Sequence, residues 1–146
     1  MADTFPHVIE AQPDFAFVRI QVPEGGTLKV EGSSMATMST NMSMKTKMKG
    51  GLGRLLTREG LFLNEFSAEG GPGEIGVAPG TPGDIRHVRL EGETLYLQGS
   101  AFLASGMDVE VDYKWQGMRR FFSGESMFLI RCSGHGDLWF NSYGAI

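Results

Sequence analysis

Alternation at period two runs through the longest ordered-looking stretches of the chain. Met42, Met44, Thr46 and Met48 fall on one side of an extended segment, and Ser43, Lys45, Lys47 and Lys49 fall on the other. Further on, Met107, Val109, Val111, Tyr113 and Trp115 alternate with Asp108, Glu110, Asp112 and Lys114. A strand points successive side chains to opposite faces, so this pattern predicts two strands with one face on a core. Leu61–Phe66 and Met127–Cys132 are more continuously apolar and read as central strands. Phe15–Val22 predicts an opening strand. Thr27–Val30 and Thr94–Leu97 predict short strands that stop at Gly32 and Gly99, and Gly76–Ala78 and Leu138–Asn141 predict closing strands. Helical periodicity is poor. Gly53–Arg58 and Gly117–Phe122 have room for one turn each. The expected fold class is all-β.

The strand pattern occurs twice. Gly25–Met35 (GGTLKVEGSSM) matches Gly92–Phe102 (GETLYLQGSAF), with Thr27 on Thr94, Leu28 on Leu95, Gly32 on Gly99 and Ser33 on Ser100. Arg58–Ser67 then matches Gly124–Ser133, with Glu59 on Glu125, Phe62 on Phe128 and Leu63 on Leu129, at a spacing one residue shorter. Gly73–Gly80 resembles Gly136–Gly144 with a small loop deletion. Matched order at nearly constant spacing predicts one β domain over residues 1–146, built from two tandem repeats at about 15–85 and 86–146.

Composition agrees. The chain has 146 residues, 21 of them glycine, with 41% hydrophobic and 21% charged side chains. Many glycines among Val, Ile, Phe and Thr suit short strands and tight turns. Residues 25–85 carry equal numbers of acidic and basic groups, and most of the net charge of −4 lies in the N-terminal segment. Neither half is a basic module, so nucleic acid is not the expected partner. The single cysteine, Cys132, rules out an internal disulfide and fits a reducing compartment. The first residues lack the basic and apolar regions of a signal peptide, and no apolar run approaches a membrane span. A soluble, cytoplasmic protein is expected, peripheral to a membrane at most.

Candidate chemistry is sparse. Lys45, Lys47, Lys49, Arg54 and Arg58 form a basic stretch without acids, and Arg119 and Arg120 sit at the matching place in the second half. The loop around Arg54, Leu55 and Leu56, and its counterpart at Arg119, Arg120, Phe121 and Phe122, set apolar side chains beside arginines. That pairing suits a subunit interface or a membrane surface, or a loop folded on its own core. The lysines of the first long strand oppose in sign Asp108, Glu110 and Asp112 of the second. They read either as pairing between copies, within one chain or across subunits, or as two solvated faces. The methionines at 35, 38, 42, 44 and 48 admit a Cu(I) reading. Three of them share a strand face that the second half fills with Val, Tyr and Trp, so core packing is expected. His7, His87 and His135 are dispersed, and Cys132 reads as a small buried hydrophobe. Ser126 lacks the setting of a nucleophile elbow. No Walker loop or dinucleotide fingerprint occurs. No catalytic residue, cofactor or metal site is expected.

The strings GGLGRLLTREGLFLNEFSAEGGPGEIGVAP, GSAFLAS and GESMFLIRCSGHGDLWFNSYGAI together resemble the altered-inheritance-of-mitochondria (mitochondrial biogenesis) family, formerly bacterial and archaeal proteins of unknown function. The resemblance runs from about Phe15 to Ile146. It implies a fold like that of the tryptophan-RNA-binding attenuation protein, a double-stranded β-helix-like unit, and no known enzymatic activity. Family members usually continue past SYGAI with another β unit, so the chain is read either as a short form or as a fragment lacking a third repeat. Unpaired strand edges and stacked repeats favour assembly. A homo-oligomer is expected, with a trimer favoured. The expected function is a non-enzymatic β scaffold that presents the two glycine-rich basic–apolar loops to a protein partner or a membrane. The alternatives are a ligand- or nucleic-acid-binding module using the basic strand and loop, and an enzyme of unrecognised type.

Overall fold

The computed structural model describes residues 4–48, 62–80, 82–112 and 129–142. These form eleven strands: β1 (His7–Glu10), β2 (Phe17–Val22), β3 (Thr27–Glu31), β4 (Met35–Met38), β5 (Met42–Met48), β6 (Phe62–Ala68), β7 (Gly73–Val77), β8 (Asp84–Gln98), β9 (Phe102–Gly106), β10 (Val109–Asp112) and β11 (Leu129–Ser142). One 3-10 turn, Gly99–Ala101, links β8 to β9, and no α-helix occurs among the described residues. Every ladder between named strands is antiparallel.

A four-stranded sheet runs β1-β2-β7-β4, and a seven-stranded sheet runs β10-β11-β9-β3-β6-β5 with β8 on the other edge of β11. The sequence dictates which faces meet. In β2, Val18, Ile20 and Val22 are fully buried while Arg19 and Gln21 are exposed, as strand alternation requires. These side chains pack with Ile75 and Val77 of β7 against Leu28 and Val30 of β3, Phe66 of β6 and Trp139 of β11. Fully burying each aliphatic side chain contributes roughly 1.5–3 kcal/mol. A second cluster gathers Leu97, Phe102, Val109, Val111, Ile130, Cys132 and Leu138.

Three pairs of ladders share a register. β3 meets β6 with Thr27 opposite Ser67 and Leu28 opposite Phe66, and β8 meets β11 with Thr94 opposite Ser133 and Leu95 opposite Cys132. β5 meets β6 with Met42 opposite Ala68 and Lys45 opposite Glu65, and β10 meets β11 with Val109 opposite Gly134 and Asp112 opposite Arg131. β2 meets β7 with Ile20 opposite Ile75, and β8 meets β11 with His87 opposite Trp139.

Some sequence expectations shift. The short strand expected at Thr94–Leu97 is the second half of the continuous β8, whose first half went unassigned. Likewise the closing strand at Leu138–Asn141 is the end of β11. Met107 lies before β10 and is exposed. On the methionine face of β5, Met42 is buried, but Met44 is exposed because β5 is the last strand of its sheet.

The register of β11 slips between Ser133 and His135, and Gly134 sits in that irregularity with φ +116°. Only glycine adopts this conformation cheaply, and a Cβ at Gly134 would collide with the Asp108 carbonyl oxygen. Gly134→Ala is expected to lose roughly 1–3 kcal/mol through backbone strain alone, read as a lower urea midpoint at unchanged slope. An unchanged midpoint would show that the bulge relaxes freely.

Candidate functional site

The densest group of polar and aromatic side chains lies where the N-terminal segment crosses β8 and β11. The β8–β11 register sets Arg89 opposite Asp137 and His87 opposite Trp139. Because residues two apart on a strand share a face, all four point the same way. Asp137 is buried and its two oxygens are divided among three donors. Oδ1 lies 2.9 Å from His87 Nε2. Oδ2 accepts from the backbone N–H of Phe5 at 2.9 Å and lies 3.3 Å from an Arg89 guanidinium nitrogen. Phe5 is buried, with its ring edge-on to Trp139 at 6.3 Å. Gly106 keeps room for that ring, since a Cβ there would sit 3.2 Å from Phe5.

His7 completes the cluster. Its ring lies 4.3 Å from that of His87 and 5.2 Å from Trp139, and its Nδ1 is 3.2 Å from the Phe5 carbonyl oxygen. The histidines that look dispersed in sequence therefore include a pair in ring contact, tilted by 44°. The signal that finds it is the β8–β11 pairing, which brings His87 to Trp139. His135 is exposed and apart from the pair. Among the described residues no three His, Cys, Asp or Glu side chains are grouped to hold a metal ion.

Electrostatics fit a clasp. Burial alone would raise the Asp137 carboxyl. The His87 hydrogen bond, the Phe5 amide and the charges of His87 and Arg89 together outweigh burial and hold it below its ordinary value of 3.8. Cys132 is the opposite case: burial pushes its thiol up to about 12, against a weaker opposing effect from the Lys29 charge. A thiol so poised is not a nucleophile near neutral pH, in keeping with a small buried hydrophobe.

A second feature is an open pocket of about 440 Å³ on the outer face of β3, β5 and β6. Thr27, Ser43, Lys45, Glu65, Ser67 and Glu69 line it, with Met44 and Met107 at its apolar side. The Thr27 and Ser67 hydroxyls are 2.8 Å apart. Lys29 stands in the same cross-strand row as Glu65 and Lys45, but its amine is buried and donates to the Val109 carbonyl oxygen.

Of the residues singled out in the sequence, Lys45 is exposed on β5 beside Glu65, and Lys47 lies on β5 opposite Leu63. Lys49, Arg54, Leu55, Leu56, Arg119, Arg120, Phe121 and Phe122 lie outside the described residues. No helix among the described residues is long and apolar enough to cross a membrane.

The family described as mitochondrial biogenesis AIM24 matches residues 7–146. An uncharacterized protein of Streptococcus pyogenes serotype M6 is 29% identical over 94% of this chain, which spans 60% of that relative. A crystal structure of a Streptococcus pyogenes protein, from a structural-genomics programme, is similar with a TM-score of 0.76 at 26% identity. It covers 97% of this chain, which in turn covers 66% of that one.

Two tests follow from the cluster. A carboxyl held low in the folded state contributes stability that is present above its unfolded value and lost as pH falls through the folded one. Wild-type stability should therefore decline below about pH 4, and Asp137→Asn should be less stable at pH 7 and lose part of that acid limb. Equal acid limbs would remove Asp137 from the clasp. Trp139 is buried with an indole N–H that has no hydrogen-bond partner among the described residues, so Trp139→Phe gives up no bond to them. It should cost far less than Trp139→Ala, for which about 3–5 kcal/mol is expected; similar losses would mean that the nitrogen matters.

Proposed function

This chain belongs to the mitochondrial biogenesis AIM24 family, and we propose that it is a non-enzymatic β scaffold of two tandem repeats that assembles with copies of itself. The observation that carries the reading is the set of strand edges left open. β5 pairs only with β6, β4 only with β7 and β1 only with β2 among the described residues. Exposed apolar side chains stand on each of these strands: Met44, Met38 and Val8. An unpaired edge carrying apolar side chains is a template for a further chain. The shared registers of the ladders support the repeat, and a repeat stacked on its neighbour buries faces that one copy leaves open.

The converging titratable groups support a structural role. Asp137, His87 and His7 are engaged with one another and with Phe5, so the cluster fastens the N-terminal segment and has no free base beside a nucleophile. The mixed charge around Lys45, with Glu65 and Glu69 on the same pocket, suits a protein partner better than nucleic acid. On the sequence alone, the segments carrying Arg54, Leu55, Leu56, Arg119, Arg120, Phe121 and Phe122 are proposed as the contact to a partner or a membrane; they lie outside the described residues.

Light scattering after size exclusion tests the proposal. A single species of three chains, each of 15.9 kDa, is expected. A monodisperse monomer would end the assembly reading.

A further inference from the structure

We infer that residues 5–10 form a strap released by acid: when His7 and His87 are both protonated the strap leaves, uncovering the ring of Trp139 and the edge of β2. The strap is lightly held. β1 pairs only with β2 among the described residues. The Pro6 carbonyl oxygen accepts from the Gln21 N–H at 2.8 Å. Ahead of it the Phe5 N–H donates to Asp137, and the Phe5 and His7 rings lie against Trp139. A four-residue strand on a sheet edge belongs to the low-stability end of a fold and opens before the rest.

Charge supplies the release. The Phe5 carbonyl oxygen can only accept, so His7 Nδ1 carries the hydrogen between them and a further proton enters at Nε2. By the same rule His87 donates from Nε2 to Asp137 and takes its further proton at Nδ1. The two rings lie 4.3 Å apart. Among the described residues the charged groups beside them come from β8 and β11 alone: Arg89 and Asp137. The facing side of β2 offers Val18, Ile20 and Val22, while Glu10 and Arg19 pair with each other on the opposite face. With both rings neutral, Asp137 balances Arg89 one for one. With both charged, three cations share one carboxylate, and like charges this close in a half-buried site repel strongly.

Of these four groups only His7 is carried by the strap. His87, Arg89 and Asp137 stand on β8 and β11, which are paired along their length and hold them together. Repulsion is therefore relieved by moving His7. Once released, it keeps its proton in water, so the open form binds more protons than the closed one and falling pH favours it. Water reaches both rings, since the His87 side chain is 25% exposed and His7 is half-buried. Histidines change charge between about pH 5 and 8. Asp137, held below its ordinary value of 3.8, stays ionised throughout that range, so the strap opens while β8 and β11 remain in place.

The test uses the intact chain and amide hydrogen exchange read by mass spectrometry at about pH 7.5 and about pH 5.5, with rates corrected for the intrinsic pH dependence of exchange. Protection over residues 5–10 and β2 should fall roughly tenfold or more at the lower pH, while β3 and β6 keep theirs. His7→Phe leaves a ring on Trp139, His87→Gln leaves a donor for Asp137, and neither replacement takes up a proton. Each variant should lose no protection at the lower pH. Circular dichroism shows that each is folded; if one is not, the other decides. Equal wild-type protection at the two pH values would overturn the strap. A fall that persists in a folded variant would overturn it too, because another group would then be the trigger. A fall shared by β3 and β6 would do the same, because the whole sheet would be loosening.

Discussion

Strand β11 is bonded along one edge to β8 over its full length, while its other edge is divided between β10 and β9. Three strands thus depend on the placement of one. The side-chain period of a strand is two, so a slip of one residue in this ladder would exchange its faces. Trp139 would leave the first core and Leu138 the second. The bulge at Gly134 shifts the register with β8 alone; on the other edge, Val109 opposite Gly134 and Ser105 opposite Leu138 keep one register.

The two halves of the molecule solve the same packing problem with different chemistry. Ile20 faces Ile75 between β2 and β7, and the matching positions between β8 and β11 hold His87 and Trp139. The first pair is sealed by apolar contact alone. The second has polar groups in the interior, where each must be satisfied. Asp137 meets that demand by accepting from the Phe5 amide, so the N-terminal segment is drawn in as part of the solution. The matched positions differ again on the outer faces, in the sign of the charges at Lys45 and Asp112.

Much of the fold was legible because period two is a local signal. The alternation of Met42–Met48 and the apolar run ending at Phe66 need only neighbouring residues to be read, and β5 and β6 lie there. β8 was half missed for a physical reason. From Ile85 to Leu90 one face carries Ile85, His87 and Arg89 and the other Arg86, Val88 and Leu90. Polar and apolar side chains therefore fall on both faces, and the hydrophobic period is erased. The clasp was invisible for another reason: Phe5 and Asp137 are 132 positions apart, and no local pattern announces such a partner. Burial of Cys132 was readable from its apolar neighbours, whereas exposure of Met44 depends on β5 being an edge, which is a property of the sheet.

The Phe5–Asp137 contact also bears on how the chain becomes a protein. Synthesis delivers the N-terminal residues first, yet the carboxylate that receives Phe5 belongs to the last strand described. Until β8 and β11 have paired, the Phe5 amide has no carboxylate to receive it, and Phe5 and His7 have no rings to pack on. They wait as an exposed apolar and aromatic segment. Contacts of such long sequence separation are closed late and slowly. A nascent chain of this kind is most vulnerable to capture by other chains while β11 is still being made.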